Sequence, residues 1–186
     1  MKRKEDRISG EIRRAVKGIG KPELYFVRSL LEGGVFFARC EQQVLDEELG
    51  VERSRELVGR IWGLWALEQG RKYCQEFQKQ GIPLDARLLG KIFRKWFEDN
   101  WLVTYEIVED TADRHEGKIT HCLDETLVKE LFGKGTGIFD NVYATSQLEA
   151  KAICKSAGLD EKFDGTFTGF ICTGCSCDKV VFERKK

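Results

Sequence analysis

Residues 85–108, DARLLGKIFRKWFEDNWLVTYEIV, change from one hydrophobic period to another within a single run. The first part repeats its apolar side chains every three or four residues, as on one face of a helix, and Asp85 is the expected cap. The last part alternates, with Val103, Tyr105 and Ile107 on one side, as in a half-buried strand. The run therefore predicts a helix that leads directly into a sheet.

The segment before this run predicts further helices by the same spacing. The longest covers residues 55–80, with Ser54 as its expected N-cap, and Gly63 and Gly70 should let another backbone approach closely. Its predicted inward face consists of the apolar residues Leu57, Val58, Ile61, Trp62, Trp65, Tyr73 and Phe77. Tryptophans occur at positions 62, 65, 96 and 101, so this helix and the next are expected to meet. An aromatic stripe of this kind is more often core than a cofactor site.

The stretch after residue 108 predicts a return strand and two helices. Glu109–Gly117 has the composition of a polar turn, which would leave His115 in solvent, and Lys118–Cys122 returns as the second strand. Asp124 is the expected cap of a short helix. Ser146-Gln-Leu-Glu149 has the spacing of a capping box, which predicts that another helix begins there.

The chain ends with a predicted hairpin formed by Thr166–Cys172 and Lys179–Phe182. Helices followed by hairpins are typical of the α+β class, here a helical N-terminal half and then a ββ-α-α-ββ part with an antiparallel sheet. We expect a single domain over 1–186, mainly helical over 1–100 and α+β over 101–186, with the cysteine-rich hairpin at its end.

Composition limits the classes of partner. The 186 residues contain 31 Lys and Arg against 31 Asp and Glu, and this balance argues against nucleic acid, whose binding needs excess cations. No apolar run is long enough for a membrane span. Seven cysteines, an odd number, favour reduced thiols in a cytoplasmic protein. The expected partner is a small-molecule ligand, and a homodimer is left open.

The cysteine-rich turn is Cys172-Thr-Gly-Cys175-Ser-Cys177, a C-x2-C-x-C pattern. Such spacing lets thiolates converge on one ion, and thiolates suit zinc, copper(I) or an iron–sulfur cluster. The spacing does not choose between metal binding, inert buried thiols and a redox pair of Cys172 with Cys175. A fourth ligand would come from one of Cys122, His121, Cys154 and Asp178.

His121-Cys122 is a second candidate for chemistry, because it ends a predicted strand just before a predicted helix. A helix N-terminus lowers the pKa of a thiol, and an imidazole can act as a base toward a nucleophilic cysteine. Adjacent residues of a strand point to opposite faces, however, so the two side chains are not expected to touch.

The C-terminal half resembles a known family on three features: the aromatic-ended helix leading into Trp101–Val108, the strand-ending Cys122, and the terminal turn Cys177-Asp178 followed by Phe182. The family is the L-2-amino-thiazoline-4-carboxylic acid hydrolase-like proteins, and similar endings occur in 4-vinyl reductase-type ligand-binding domains. The resemblance covers residues 96–182. It implies hydrolysis of a cyclic amidine, with Cys122 and Asp178 as the best matches to the family pattern. Cys172 and Cys175 are not part of that pattern.

Three hypotheses of function follow from these observations. The first is a small-molecule hydrolase acting on a C–N bond, with Cys122, His121 and Asp178 as catalytic candidates. The second is a non-catalytic zinc or iron–sulfur module that uses the C-x2-C-x-C turn. The third is a ligand-sensing domain in which the cysteines are structural.

Overall fold

The computed structural model describes residues 37, 40–101, 103–121, 142–168 and 177–186. The chain divides into one unit over Met1–Phe37 and a second over Ala38–Lys186. Apart from Phe37, every described residue belongs to the second unit, to which the following description applies. The single domain expected over 1–186 stays a prediction, as does the short helix after Asp124, which lies outside the described residues.

Two consecutive helices open this unit. Helix α1 is described over residues 40–49, and Gly50, whose φ of 78° suits a residue without a side chain, separates it from α2, Val51–Lys79. The prediction that Ser54 caps the long helix is wrong, because Ser54 lies inside its first turn. The Ser54 hydroxyl instead accepts a hydrogen bond of 2.5 Å from the Gln42 side-chain amide, which ties α1 to α2.

Helix α3, Ala86–Trp101, follows a short connection and begins as predicted. The Asp85 carboxylate accepts a hydrogen bond of 3.0 Å from the Arg87 backbone N–H, which satisfies one of the free amides of the first turn. The expected meeting of α2 and α3 is confirmed by Trp65 and Trp96, whose rings pack edge to face with centroids 5.8 Å apart.

The strands form an antiparallel sheet, which confirms the α+β class. The elements are β1 (Thr104–Asp110), β2 (Arg114–His121), α4 (Val142–Ser156), β3 (Phe163–Thr168) and β4 (Asp178–Arg184). The strand order is β1-β2-β4-β3, with antiparallel pairing between all neighbours. The predicted terminal hairpin is therefore present, although its first strand begins earlier than expected.

One face of the sheet packs against α3 to form the core. Phe93 lies at the centre of this contact: its ring centroid is 4.3 Å from that of Phe97, 5.6 Å from Phe167 and 5.8 Å from Phe182. The apolar residues predicted to point inward from α3 are all buried: Leu88, Leu89, Ile92, Phe93, Trp96 and Phe97.

Several boundaries differ from the predictions for physical reasons. The second strand begins at Arg114 and not at Lys118, because residues 111–113 suffice for the turn. A shift in the pairing register between Ile107 and Glu109 breaks the alternation of β1, so Ile107 is 50% exposed although Tyr105 is buried.

Helix α4 begins at Val142, so the capping box predicted at Ser146–Glu149 is wrong. The helix ends at Ser156, and Gly158 two residues later has a φ of 65°, which suits a glycine after a helix end.

Glycines allow two close contacts of backbone segments. A Cβ at Gly70 would overlap the side chain of Ser156, which confirms the close approach to α2 predicted there. A Cβ at Gly165 would lie 2.7 Å from the Ala150 carbonyl oxygen, so α4 rests directly on the backbone of β3. In the described part of the chain, none of the helices has the length and apolar character needed to cross a membrane.

Candidate functional site

The candidate residues from the sequence lie only partly within the described chain. Cys122, Cys172 and Cys175 are outside it. His121 is the last residue of β2, Asp178 begins β4 and is 5% exposed, and Cys177 directly before it is half-buried.

The pairing register brings the described candidates to one end of the sheet. His121 pairs with Thr104, the first residue of β1, and Asp178 pairs with Ile119, two residues before His121. Thr168, the last residue of β3, pairs with Lys179 beside Asp178. We call this edge, formed by Thr104, His121, Thr168 and Cys177, the Cys177 end. No group of three His, Cys, Asp or Glu residues that could hold a metal ion occurs among the residues described in the structure.

Glu149 is a buried acidic group that the sequence did not single out for chemistry. Its residue is 5% exposed, and no hydrogen bond or ion pair joins its carboxyl group to another residue in the described segments. Burial raises the pKa of Glu149 to about 8, because the charged form loses its water in the folded chain. At neutral pH the carboxyl group is mostly protonated.

Trp96 supplies a second buried polar group. Its residue is fully buried, and within the described segments its indole Nε1 has no hydrogen-bond partner. Leaving such a donor unpaired costs about 1–3 kcal/mol, and native proteins contain few such groups.

Helix α2 brings Glu149 and Trp96 toward the same place. Gly63 contacts Leu148 and Gly70 contacts Ile153, so α2 and α4 run in the same direction. Glu149 follows Leu148 and lies one turn before Ile153, on the same side of α4 as Ile153. The turn of α4 that carries Glu149 therefore lies along the part of α2 between these two glycines.

Trp65, which contacts Trp96, lies in that same part of α2. Gln147 of α4 donates a hydrogen bond to the Phe167 carbonyl oxygen, one residue before β3 ends. The region between α2, α3 and α4 is therefore adjacent to the Cys177 end of the sheet. We call this region the Glu149–Trp96 site.

A second buried polar cluster lies on β1 and β2, and it overturns the prediction that His115 is solvated. His115 is 2% exposed; its Nδ1 is 2.8 Å from Asp110 Oδ1 and its Nε2 is 2.9 Å from the Tyr105 hydroxyl oxygen. A Cβ at Gly90 of α3 would overlap the imidazole ring, so this glycine makes room for it. Burial raises the pKa of Tyr105. Because both ring nitrogens of His115 are partnered within the protein, the cluster fixes β1 to β2.

The described thiols in the core do not have the environment of a reactive cysteine. Burial raises the pKa of Cys154 to about 12, and it also raises the pKa of Cys74. Thiolates are the reactive form, so neither residue is a nucleophile at neutral pH. Cys40 is exposed on α1.

Periodicity contained signals for both of the residues that were misjudged. Glu149 belongs to the inward stripe of α4 with Ala150, Ile153 and Cys154, a 3.6-residue pattern that the capping-box interpretation hid. His115 alternates with Gly117 and Ile119 toward the core, as expected for a strand that starts at Arg114.

Comparison with known proteins supports the fold. No family model and no curated protein matches this chain. Among solved structures, the phenol-responsive sensory domain of the transcription activator PoxR, bound to phenol, is similar with a TM-score of 0.51 and 12% identity, over 81% of this chain and 73% of that one. At this level of identity the similarity concerns the fold alone.

A trafficking protein particle complex subunit 3 from Naegleria fowleri, covalently bound to palmitic acid, has a TM-score of 0.48 and 9% identity, over 83% of this chain and 96% of that one. This lower similarity carries no argument here.

Proposed function

We propose that this chain is a binding domain for a small organic molecule held at the Glu149–Trp96 site. The observation that carries the proposal is Glu149, a carboxyl group that is 5% exposed and has no partner among the described residues. Burying a polar group without a hydrogen bond is costly, so a ligand that pairs with it recovers free energy that the empty fold has lost.

The two polar groups indicate the chemistry of the ligand. A carboxylate in a low-dielectric surrounding pairs best with a basic group such as an amine or amidine, through charge-assisted hydrogen bonds. The Trp96 N–H donates and cannot accept, so it needs an acceptor atom on the ligand. A flat amidine would satisfy Glu149 and pack against the neighbouring aromatic rings. Its hydrolysis by Cys122 and Asp178, as the family resemblance implies, stays a prediction.

Benzamidine and phenol are suitable probes, the first for its amidinium group and the second because it binds the sensory domain that shares the fold. We expect benzamidine to bind and to release about one proton per molecule at pH 7, because pairing ionises a Glu149 whose pKa is about 8 when empty. Isothermal titration calorimetry in two buffers of different ionisation enthalpy measures this release. Glu149→Gln should weaken binding roughly 10- to 100-fold, the loss expected for one charge-assisted hydrogen bond.

The matched control is Glu106→Gln, which removes an exposed carboxylate of β1 and should leave the affinity for benzamidine unchanged. Trp96→Phe keeps an aromatic ring but removes the donor, and it should weaken phenol, whose hydroxyl oxygen can accept a hydrogen bond, more than benzamidinium, which has no acceptor atom. Equal affinity of native protein and Glu149→Gln, or no binding of either probe, would contradict the proposal. If phenol binds and benzamidine does not, and if Glu149→Gln and Trp96→Phe both abolish phenol binding, the site is supported. The proposal that its ligand is a basic molecule would then be overturned.

A metal module is the second candidate, and the register of β2 and β4 favours it. His121 and Cys177 lie at the same end of the sheet, so Cys122 and the thiols before Cys177 are joined to the described chain at that end. Thiolates that gather at one place suit zinc or an iron–sulfur cluster.

Elemental analysis and an absorption spectrum of protein purified without oxygen test this candidate. We expect about one zinc per chain, or a visible band from a cluster, that is lost when Cys172, Cys175 and Cys177 are all replaced by serine. The exposed Cys40→Ser is the control and should retain the metal. Colourless protein without metal would exclude the module.

A further inference from the structure

We propose that a second copy of this chain docks in an open groove of about 630 Å³ between α2, α4 and β3. This inference goes beyond the proposed ligand binding and does not depend on it. The protein is then a homodimer in which the grooves of the two copies face each other across a two-fold axis.

The apolar part of the groove is unusually exposed. Leu64 of α2 is 62% exposed and lines the groove, together with Leu148 of α4, which is 39% exposed. Ile61, one turn before Leu64, is 56% exposed, although the sequence assigned it to the inward face of the helix. Exposed apolar side chains that cluster on one face are typical of an interaction surface.

The groove carries charges of both signs. Its cations and carboxylates are Arg60, Lys151, Lys155 and Lys185, and Asp160, Glu161 and Asp164. Within the described part of the chain, none of these seven side chains forms an ion pair, in contrast to exposed charges elsewhere such as Arg94 with Glu98. Lys185 donates a hydrogen bond of 2.6 Å to the Asp160 carbonyl oxygen. The other six are available for pairing with another molecule.

This charge pattern selects the second copy as the partner. Nucleic acid or a uniformly acidic peptide would be repelled by the carboxylates of the groove, and a uniformly basic partner by its cations. A surface with both signs around an apolar centre is complementary to itself, since rotation about a two-fold axis places the cations of one copy against the carboxylates of the other.

Sedimentation equilibrium of the full chain tests the dimer, and a charge exchange tests the surface. We expect a mass of twice 21.4 kDa for the native chain. Leu64→Glu should raise the dissociation constant at least about 30-fold, as loss of a central contact does. Leu84→Glu is the matched control, since Leu84 is 52% exposed and lies outside the groove, and it should remain dimeric.

Two further variants make the test specific to charge complementarity. One carries Lys151→Glu and Lys155→Glu, and the other carries Glu161→Lys and Asp164→Lys. Each should be monomeric alone, because like charges face each other, and the two should form a heterodimer when mixed, as detected by native mass spectrometry. A monomeric native chain at 100 μM, or variants that all dimerise like the native chain, would overturn the proposal. Circular dichroism confirms that each variant is folded.

Discussion

Replacing Glu149 by Gln is expected to stabilise the protein by several kcal/mol at pH 8 and by almost nothing at pH 4. The pKa of Glu149 is about 8 in the folded chain, against 4.5 for an ordinary glutamate. Below pH 4.5 the carboxyl group is protonated in both states and burial carries no ionic cost. Between pH 4.5 and 8 only the unfolded chain ionises, so native stability falls as the pH rises, by about 1.4 kcal/mol per pH unit.

The difference in free energy of unfolding between Glu149→Gln and the native protein should level off above pH 8, at a value on the order of 5 kcal/mol. Gln has nearly the same shape and cannot ionise, so the two proteins should diverge only within this window. Urea denaturation at pH 4, 6 and 8 gives the free energy of unfolding of each. Glu106→Gln should follow the native protein at every pH, because Glu106 is exposed. If the free energy of unfolding changes with pH in the same way for the native protein and Glu149→Gln, the Glu149 carboxyl group is not buried without a partner.

Replacing Phe93 by Ala is expected to cost about 3–5 kcal/mol of folding free energy, the usual range for a buried aromatic side chain. Phe93 is fully buried, and its ring contacts α3 and two strands through Phe97, Phe167 and Phe182. Truncation leaves a cavity that these rings cannot fill without moving the helix on the sheet. The urea midpoint measures the loss.

Phe93→Leu provides a milder variant in case Phe93→Ala does not fold. Leucine retains much of the volume, so the loss should be smaller than for alanine. The control is Ile107→Ala, since Ile107 is 50% exposed and its truncation should change stability by less than about 0.5 kcal/mol. A loss at position 93 no larger than at position 107 would mean that α3 is not the centre of the core.

The elements that could be predicted from the sequence are those whose side chains repeat with one strong period. Helix α3 and the hairpin of β3 and β4 are examples, since nothing interrupts their patterns before their ends. Strand β2 was placed too late because His115 and two charged neighbours resemble a turn when they are considered one by one. His115 can be buried because each of its imidazole nitrogens has a hydrogen-bond partner. These partners, Asp110 and Tyr105, come close to the ring only when β1 and β2 pair.

The candidate site was less predictable than the fold, because its groups meet through packing between separate elements. Trp96 and Glu149 are far apart in sequence, and the helices that carry them, α3 and α4, both pack against α2, at Trp65 and at Gly63. No local pattern shows that a carboxyl group will lack a partner. The cysteine pattern was visible as spacing, and the register of β2 and β4 adds that His121 and Cys177 share one end of the sheet.

The contact between Gly165 and Ala150 also determines how the protein can open. The α4 backbone rests on β3 at this contact, so no side chain can be withdrawn there and the two segments separate only when the helix lifts, although Gly165 also borders the open groove. Helix α4 and strand β3 should therefore behave as one cooperative unit of local unfolding, in which their amides become accessible together.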